Sequence, residues 1–412
     1  MFMSQCTDKL LCIRSIQMPL MRTLILLAPV LLLFACGDSG VSATATSPSL
    51  PGTPPATPSV PAATPKVRFV AFGDAGQATQ GGPAAQTAVG DAMAAVCAVR
   101  GCDFALEFGD NFYLSGVTST ADAQWQSKFE GPYSALKIPI FATLGNHDNS
   151  QGPGEGSSNA RGNFQVDYHR AAENVNKKWN MPSRYYRFTA PLSAQGNDFT
   201  INTPAGYTLP ATAQTPLVEF FSLDSSPLTS IVADIDPSFN YLTYGPTHLQ
   251  WFQQGLMNSK ARWKIAFAHH PYVSNGLHGN AGSFDGSNPA LPGTSNGKPW
   301  LDFHTESSCA MGLDFFMFGH DHDIEWLKPV PACNGKTQFI LSGTSEQPRA
   351  FGDAARNPTY YQKDNVLAFF WFEFEGDKMT GAAYVLDSAM QLPKNADGSL
   401  KADFEQTVAR QP

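Results

Sequence analysis

Side chains able to bind metal ions follow five apolar segments of the 412-residue chain. They are Asp74, Asp110 with Tyr113, Asn146 with His147, His269, and His320 with His322. This set offers more oxygen and imidazole donors than one metal ion takes, so two metal ions about 3.5–4 Å apart that share a carboxylate are the simplest arrangement. Asp and His suit first-row transition metals, and a phenolate suits a hard trivalent ion such as ferric iron. The pattern predicts a dinuclear metal centre.

The segments that precede these residues have the length and apolar character of β-strands. They span residues 67–72, 104–108, 138–144, 263–268 and 313–318. Residues 83–99 and 120–136 have the apolar spacing of helices and alternate with the first three strands. This order predicts βαβ units and a parallel sheet. Because sites in open α/β sheets gather at the carboxyl ends of strands, the metal-binding side chains should meet at such ends.

The later part of the folded region is predicted to contain a further helix and a hairpin. The helix spans residues 247–259, with Thr247 or Pro246 as its cap. The hairpin pairs residues 366–374 with residues 379–386. These elements complete a predicted α/β fold.

Five short motifs contain the candidate residues: GDAG at 73–76, GDNFY at 109–113, GNHD at 145–148, AHHP with a later HG within 268–279, and GHDH at 319–322. In this order they resemble the calcineurin-like metallophosphoesterases, and the tyrosine of GDNFY resembles the small, mammalian-type purple acid phosphatases. The resemblance covers roughly residues 66–390. It implies a four-layer α-β-β-α sandwich with two mixed sheets and a dinuclear metal site at strand carboxyl ends.

The resemblance implies a role for each position that matches a family motif. The ligands of ferric iron would be Asp74, Tyr113 and His322. The carboxylate of Asp110 would bridge the two metal ions. The ligands of the second metal, which is Fe(II), Zn(II) or Mn(II) in such enzymes, would be Asn146, His269 and His320. His147 and His278 match two unligated histidines that contact phosphate and help to protonate the leaving group.

One motif departs from the family pattern, which has a single histidine and then an aromatic residue before the proline. Here two histidines, His269 and His270, precede Pro271. The spacing back from Pro271 and forward to His278 selects His269 as the ligand. The reverse assignment, with His270 as the ligand, stays open.

The resemblance implies a metal-dependent phosphoric monoester hydrolase, an acid phosphatase in which a metal-bound hydroxide attacks phosphorus. The expected substrates are phosphorylated small molecules or phosphoproteins. Three alternatives stay open at this point. They are a phosphodiesterase or nucleotidase that uses the same site, a non-catalytic surface-binding lipoprotein, and redox chemistry of the iron centre.

The N-terminal segment 1–35 has the features of a bacterial signal peptide. Its apolar run at 24–35 has 12 residues, which is too short to span a bilayer. Cys36 follows directly in a sequence that resembles a lipobox, so we expect a lipid anchor there, with an ordinary cleaved signal peptide as the alternative. Met18 and Met21 are alternative translation starts.

A linker rich in Pro, Thr and Ala is predicted at 36–65, between the leader and a catalytic domain at 66–390. Residues 391–412 are expected to be a polar C-terminal tail. The leader and linker together predict an exported protein, in the bacterial periplasm or outer membrane as a lipoprotein and otherwise secreted.

The net charge and the cysteine content limit the possible binding partners and the cellular compartment of the protein. The formal net charge is −8, which disfavours nucleic acid as a partner beyond nucleotide substrates. Of the seven cysteines, four follow Cys36, and an even number in an exported domain predicts two disulfides. Three pairings exist, and closeness in sequence favours Cys97–Cys102 with Cys309–Cys333 over the other two and over a four-cysteine zinc site.

Overall fold

The computed structural model describes residues 64–76, 82–150, 159–192, 199–201, 215–230, 234–284 and 296–411. The expected leader at 1–35, Cys36 and the linker up to residue 63 lie outside the described residues. Within the ranges given, no helix combines the length and the apolar character that a membrane crossing requires.

The described backbone contains fifteen strands, seven α-helices and three short turns of 3₁₀ or π type. The strands β1 to β15 span Lys66–Phe72, Phe104–Glu107, Ile140–Ala142, Trp179–Asn180, Tyr186–Ala190, Phe199–Ile201, Val218–Ser222, Trp263–Phe267, Phe315–Phe318, Ile324–Leu327, Gln338–Ser342, Thr359–Lys363, Ala368–Glu375, Lys378–Val385 and Phe404–Ala409. The helices α1 to α7 span Gly82–Arg100, Asn146–Asn149, Asn163–Tyr168, Ser226–Thr229, Tyr241–Asn258, Lys298–Glu306 and Ser308–Met311. The short turns are Gln126–Glu130, Ala160–Gly162 and Pro331–Cys333.

The strands form two mixed sheets, as the sequence predicts. The first sheet has seven strands in the order β15-β14-β13-β1-β2-β3-β4, and the second has eight in the order β12-β10-β11-β9-β8-β7-β5-β6. In the first sheet β1 to β4 are parallel, and β13 to β15 extend it with antiparallel pairings. In the second, β7, β8, β9 and β11 are parallel.

An aromatic core joins the two sheets face to face. The ring of Phe69 on β1 lies 5.3 Å from that of Phe220 on β7, and the ring of Phe104 on β2 lies 5.5 Å from that of Phe188 on β5. All four side chains are buried. Each buried phenylalanine contributes about 1.5–3 kcal/mol of hydrophobic free energy, so this layer is a major source of stability.

Helices cover the outer faces of both sheets. Helix α1 buries Val89 and Met93 in the same core cluster as the first sheet. On the second sheet, Phe252 of α5 packs on Phe221 of β7, and Trp300 of α6 packs on Phe316 of β9. The resulting order of layers confirms the expected four-layer α-β-β-α sandwich.

The prediction of a helix at 120–136 is wrong. This segment forms turns, with a single π-helical turn at Gln126–Glu130. The carboxylate of Asp122 accepts hydrogen bonds from the backbone N–H groups of Thr118 and Gln124, which offers the backbone an alternative to helical bonding. Gly131 and Pro132 then prevent further helix, since proline lacks an N–H donor.

The start predicted for the helix at 247–259 is also wrong, because α5 begins six residues earlier, at Tyr241. Asn240 is its N-cap, and the Asn240 side chain accepts a hydrogen bond from the Leu242 N–H at 3.0 Å. Such a cap stabilises a helix by about 1 kcal/mol. Pro246 therefore lies inside the helix, which loses one backbone hydrogen bond there.

The expected boundary at residue 390 does not match the sheet. The polar segment 391–412 contributes β15, which pairs antiparallel with β14 at the edge of the first sheet. Half-exposed and exposed residues alternate along β15. A strand with so little buried surface has no strong apolar period, so its composition resembles that of a solvent-exposed tail.

The two predicted disulfides are confirmed. Cys97 bonds Cys102, across a sequence separation of 5, and Cys309 bonds Cys333, across a separation of 24. The first joins the end of α1 to the start of β2, and the second joins α7 to the turn before β11.

Removal of the longer-loop disulfide should destabilise the fold more than removal of the shorter one. The entropy that a crosslink removes from the unfolded chain grows with loop length, which gives about 3.5 kcal/mol for Cys309–Cys333 and about 2 kcal/mol for Cys97–Cys102. Urea unfolding of the two paired Cys→Ala variants measures both losses. Equal losses, or a larger loss for Cys97–Cys102, would contradict this expectation.

Candidate metal centre

The nine candidate residues follow five strands, and the structure brings them together at the strand carboxyl ends. Asp74 follows β1, Asp110 and Tyr113 follow β2, Asn146 and His147 begin α2 after β3, His269 and His278 follow β8, and His320 and His322 follow β9. The seven expected metal ligands are buried, whereas His147 and His278 are half-buried. The two expected phosphate-contacting histidines are thus the members of the set that solvent reaches most easily.

Local backbone geometry turns three of these side chains inward. Asp74, Asp110 and His320 have positive φ angles of 55°, 52° and 72°. Such a conformation costs roughly 1–3 kcal/mol for a residue with a Cβ, and a glycine would have no side chain to offer. Gly145 allows a close approach, because a Cβ on this residue would lie 2.1 Å from Oδ1 of Asp110. The strands therefore tolerate strain so that the donors converge.

Tyr113, Asp74 and His322 form one group of donors. The Tyr113 hydroxyl lies 3.0 Å from Oδ1 of Asp74 and 3.1 Å from Nε2 of His322. Nε2 of His322 lies 3.5 Å from the same carboxylate oxygen. These three side chains from three strand ends thus meet at one point.

His269, Asn146, His320 and Asp110 form the adjacent group. Nε2 of His269 lies 2.9 Å from Oδ1 of Asn146, 3.1 Å from Nδ1 of His320 and 3.5 Å from Oδ2 of Asp110. The structure thus places His269, rather than His270, against Asn146 and Asp110. One donor atom each of Asp74, Asp110 and His269 lie within 4.8 Å of one another, which brings the two groups together.

The protonation of two histidines shows that lone pairs face this space. Nδ1 of His269 lies 2.8 Å from the Phe108 carbonyl, and Nδ1 of His322 lies 2.6 Å from the Gln347 carbonyl. A carbonyl only accepts, so both Nδ1 atoms donate, and in a neutral ring Nε2 then carries a lone pair. These lone pairs point at carboxylate oxygens, which also accept. A cation between them satisfies both kinds of atom, so the residues fit a metal centre.

The pKa shifts in the centre also arise from the burial of ionisable groups close to one another. Burial, and then the neighbouring charge of Asp110, raise the pKa of Asp74 well above its usual range. Burial also acts to raise the pKa of Asp110, but the imidazoles of His269 and His147 outweigh it and lower the pKa. Burial, followed by Asp110 and Asp74, raises the pKa of the Tyr113 phenol well above its usual value. A bound cation favours the anionic form of all three groups, so it offsets the cost of ionising the buried Asp74 and Tyr113 side chains.

His147 and His278 flank the centre. The His147 ring lies 4.4 Å from the Tyr113 ring, and its Nδ1 lies 3.0 Å from the Leu114 carbonyl. The His278 ring lies 4.2 Å from the His320 ring. One histidine thus lies beside each group of donors.

Two carboxylates that the sequence left without a role hold the loops of the centre. Asp148 accepts hydrogen bonds from the backbone N–H groups of Gly145, Asn111 and Phe112, and from the Gln165 side chain. Burial and the charge of Asp110 raise its pKa to about 7. Asp148 therefore ties the loop after β2 to the loop after β3.

Asp321 does the same for the loop that carries His278. It accepts hydrogen bonds from the backbone N–H groups of His278 and Gly279, at 2.7 and 3.2 Å, and from the Ser274 hydroxyl. Asp148 and Asp321 both lie inside recognised motifs, GNHD and GHDH. Their position inside these motifs is the sign in the sequence that they belong to the site. Their role could not be predicted, because most of their hydrogen-bond partners are distant in sequence.

Comparisons with known proteins agree with this geometry. The family model described as calcineurin-like phosphoesterase matches residues 67–323. Tartrate-resistant acid phosphatase type 5 of Rattus norvegicus is 27% identical over 348 residues, which cover 80% of this chain and 90% of that protein. Purple acid phosphatase 4 of Arabidopsis thaliana is 26% identical over 243 residues, which cover 58% of each chain.

Two solved structures are similar in fold. GAP50, the anchor in the inner membrane complex of Plasmodium, matches with a TM-score of 0.57 and 14% identity, over 84% of this chain and 90% of that chain. The purple acid phosphatase PPD1 from yellow lupin seeds matches with a TM-score of 0.50 and 15% identity, over 84% of this chain and 54% of that chain. The chain belongs to the calcineurin-like phosphoesterase family and is a metal-dependent phosphoesterase that resembles the purple acid phosphatases.

Proposed function

We propose that this chain is an exported acid phosphatase that hydrolyses phosphate monoesters at a dinuclear centre of Fe(III) and a divalent ion, Fe(II), Zn(II) or Mn(II). The observation that carries the proposal is the buried Tyr113 hydroxyl between Asp74 and His322. A phenol deprived of water and faced by a carboxylate is difficult to ionise without a strongly charged metal ion nearby. Phenolate is also the donor that suits ferric iron.

The two groups of donors support a division of the metals between them. Asp74, Tyr113 and His322 would hold ferric iron, Asn146, His269 and His320 would hold the divalent ion, and Asp110 would bridge the two. When bound, such metal ions offset the negative charge of a phosphate ester and make water a better nucleophile near neutral pH.

The half-buried histidines provide the proton chemistry. Nδ1 of His147 donates to the Leu114 carbonyl, so a second proton on this ring resides on Nε2. Nε2 lies 4.0 Å from Oδ2 of Asp110, at the edge of the centre. A protonated imidazole at this edge can bind a phosphate oxygen, and His278 can do so beside His320. Proton donation to the leaving oxygen by one of them contributes about 10²–10⁴-fold to the rate.

The wider proposal concerns substrates, location and domains. Phosphorylated small molecules or phosphoproteins are the proposed substrates. A leader at 1–35, a lipid anchor at Cys36 and a linker at 36–65 would export the protein and tether the catalytic domain that begins at residue 66. The periplasm or the outer membrane of a bacterium is the proposed site, with secretion as the alternative.

The purified protein should be purple or pink, because charge passes from the Tyr113 phenolate to ferric iron when light is absorbed. Tyr113→Phe should abolish the visible absorption band while the packing of the ring is kept. Optical spectroscopy with metal analysis of the same samples checks this. Tyr133→Phe is the matched control, since Tyr133 is also fully buried but bonds Gln86 outside the centre. A colourless, fully metallated wild type with unchanged activity in Tyr113→Phe would refute the ferric assignment.

The roles of His147 and His278 should depend on the leaving group of the substrate. An alkyl phosphate needs a proton on its leaving oxygen, whereas a nitrophenolate leaves well without one. His147→Ala and His278→Ala should be measured separately, and the variant that lacks the proton donor should lose roughly 10²–10⁴-fold in kcat on alkyl phosphates and much less on nitrophenyl phosphate. His169→Ala, at a half-buried histidine outside the centre, is the control. Equal losses on both substrates in both variants would exclude proton donation by either residue.

A substrate panel tests the proposed preference for monoesters. Initial rates on a simple monoester, a simple diester and a nucleoside monophosphate should be highest for the two monoesters. A rate on the diester that exceeds both would identify a phosphodiesterase. A rate on the nucleotide far above that on the simple monoester would identify a nucleotidase.

A further inference from the structure

The backbone around His278 has no regular secondary structure. Residues 274–280, called here the His278 loop, follow β8 and contain neither a helix nor a strand. The place of the His278 imidazole therefore depends on the contacts that this loop makes with the rest of the chain. A proton donor must lie within about 2.6–3.2 Å of the oxygen that it serves. Since a displacement of about 1 Å can lower a rate about 10²-fold, these contacts matter for the reaction.

Arg356 fixes the backbone of this loop through one nitrogen of its guanidinium. Nη1 donates to the Ser274 carbonyl at 2.7 Å and to the Gly276 carbonyl at 2.9 Å. Because the donor is a cation, these bonds are stronger than bonds between neutral groups. A Cβ on Gly279 would lie 3.3 Å from the same Nη1, so the guanidinium also lies against the backbone that follows His278. Arg356 thus contacts the loop both before and after the histidine.

Residues close to Arg356 in sequence contact the same loop. The Asn357 N–H donates to Oδ1 of Asn275 at 2.7 Å, and Nδ2 of Asn357 donates to the Ser274 carbonyl at 2.9 Å. The Gly352 N–H donates to the Asn275 carbonyl at 3.1 Å. The bonds between the two asparagines are shielded from water, since both residues are buried. The segment that carries Arg356 therefore holds the loop at several points.

Asp321 connects the loop to the metal centre. It lies within the GHDH motif and accepts hydrogen bonds from the N–H groups of His278 and Gly279. A Cβ on Gly276 would lie 2.3 Å from Cγ of Asp321, so the loop also packs tightly there. The loop is therefore bonded to a metal-binding motif through Asp321 and, separately, to Arg356, which lies outside all five motifs.

We propose that Arg356 is a positioning residue for His278, on which it acts through the His278 loop. Its two bonds to carbonyl groups would keep the imidazole where contact with a phosphate ester requires it. Arg356 is half-buried and residues 353–355 are exposed, so removal of the guanidinium should displace the loop without unfolding the sandwich. The inference rests on the proposed function, which gives His278 its contact with phosphate.

A double-mutant cycle on the metal-loaded, full-length protein tests the proposal. Arg356→Met keeps the apolar stem and removes the donors. It should lower kcat/KM on an alkyl phosphate roughly 10–100-fold and weaken the binding of inorganic phosphate, measured by calorimetry. In the His278→Ala background the same substitution should change either quantity by less than about twofold, because the group that Arg356 positions is gone. Arg262→Met is the control, since Arg262 precedes β8 and thus lies at the opposite edge of the sheet. It should change neither quantity.

Two further measurements separate positioning from loss of structure. The Tyr113 absorption band and the urea unfolding midpoint of Arg356→Met should equal those of the wild type. Loss of the band, an unchanged kcat/KM in Arg356→Met, or equal losses with and without His278 would overturn the proposal. Wild-type values in His278→Ala would overturn it as well, because the positioning of His278 would then have no effect on the reaction. A wild type that hydrolyses no phosphate monoester would instead refute the proposed function itself.

Discussion

Buried carboxylates and histidine lone pairs converge around Asp110, and the surrounding strands and loops hold them there. Nε2 of His269 lies 3.5 Å from a carboxylate oxygen of Asp110 and 2.9 Å from the amide oxygen of Asn146. Atoms that all accept hydrogen bonds repel one another at these distances, and burial withholds the water that would separate them. A cation removes the conflict. The fold thus builds a site whose most favourable state contains metal.

The rigid sandwich holds the donors close together despite their mutual repulsion. Aromatic packing between the sheets fixes the strands, so their ends cannot relax away from one another. Positive φ angles at Asp74, Asp110 and His320 aim the donors inward. Asp148 and Asp321 then hold the loops with bonds to backbone N–H groups. His147 and His278 are half-buried at the margin of the centre, where a phosphate ester can reach them.

The sequence predicts most of the frame because the relevant signals are local. Strands such as Phe315–Phe318 are apolar throughout and are followed within two residues by a metal-binding side chain, so the sequence indicates both the strand and the place of its functional residue. The edge strand Phe404–Ala409 could not be predicted, since its pairing with Lys378–Val385 depends on a distant hairpin. Apolar spacing favoured a helix at 120–136, but hydrogen bonds to the Asp122 carboxylate stabilise a turn there instead. The partners of Asp148 and of Arg356 arise from tertiary contacts, which no spacing reveals.

Two metal ions are expected between the two groups of donors. Anomalous X-ray diffraction from crystals of the purified, metal-loaded protein locates each ion and, at the iron absorption edge, identifies iron. We expect two peaks, with an iron peak at Asp74, Tyr113 and His322 and a second peak at Asn146, His269 and His320. A single peak, or an iron peak away from Tyr113, would contradict the proposed dinuclear centre.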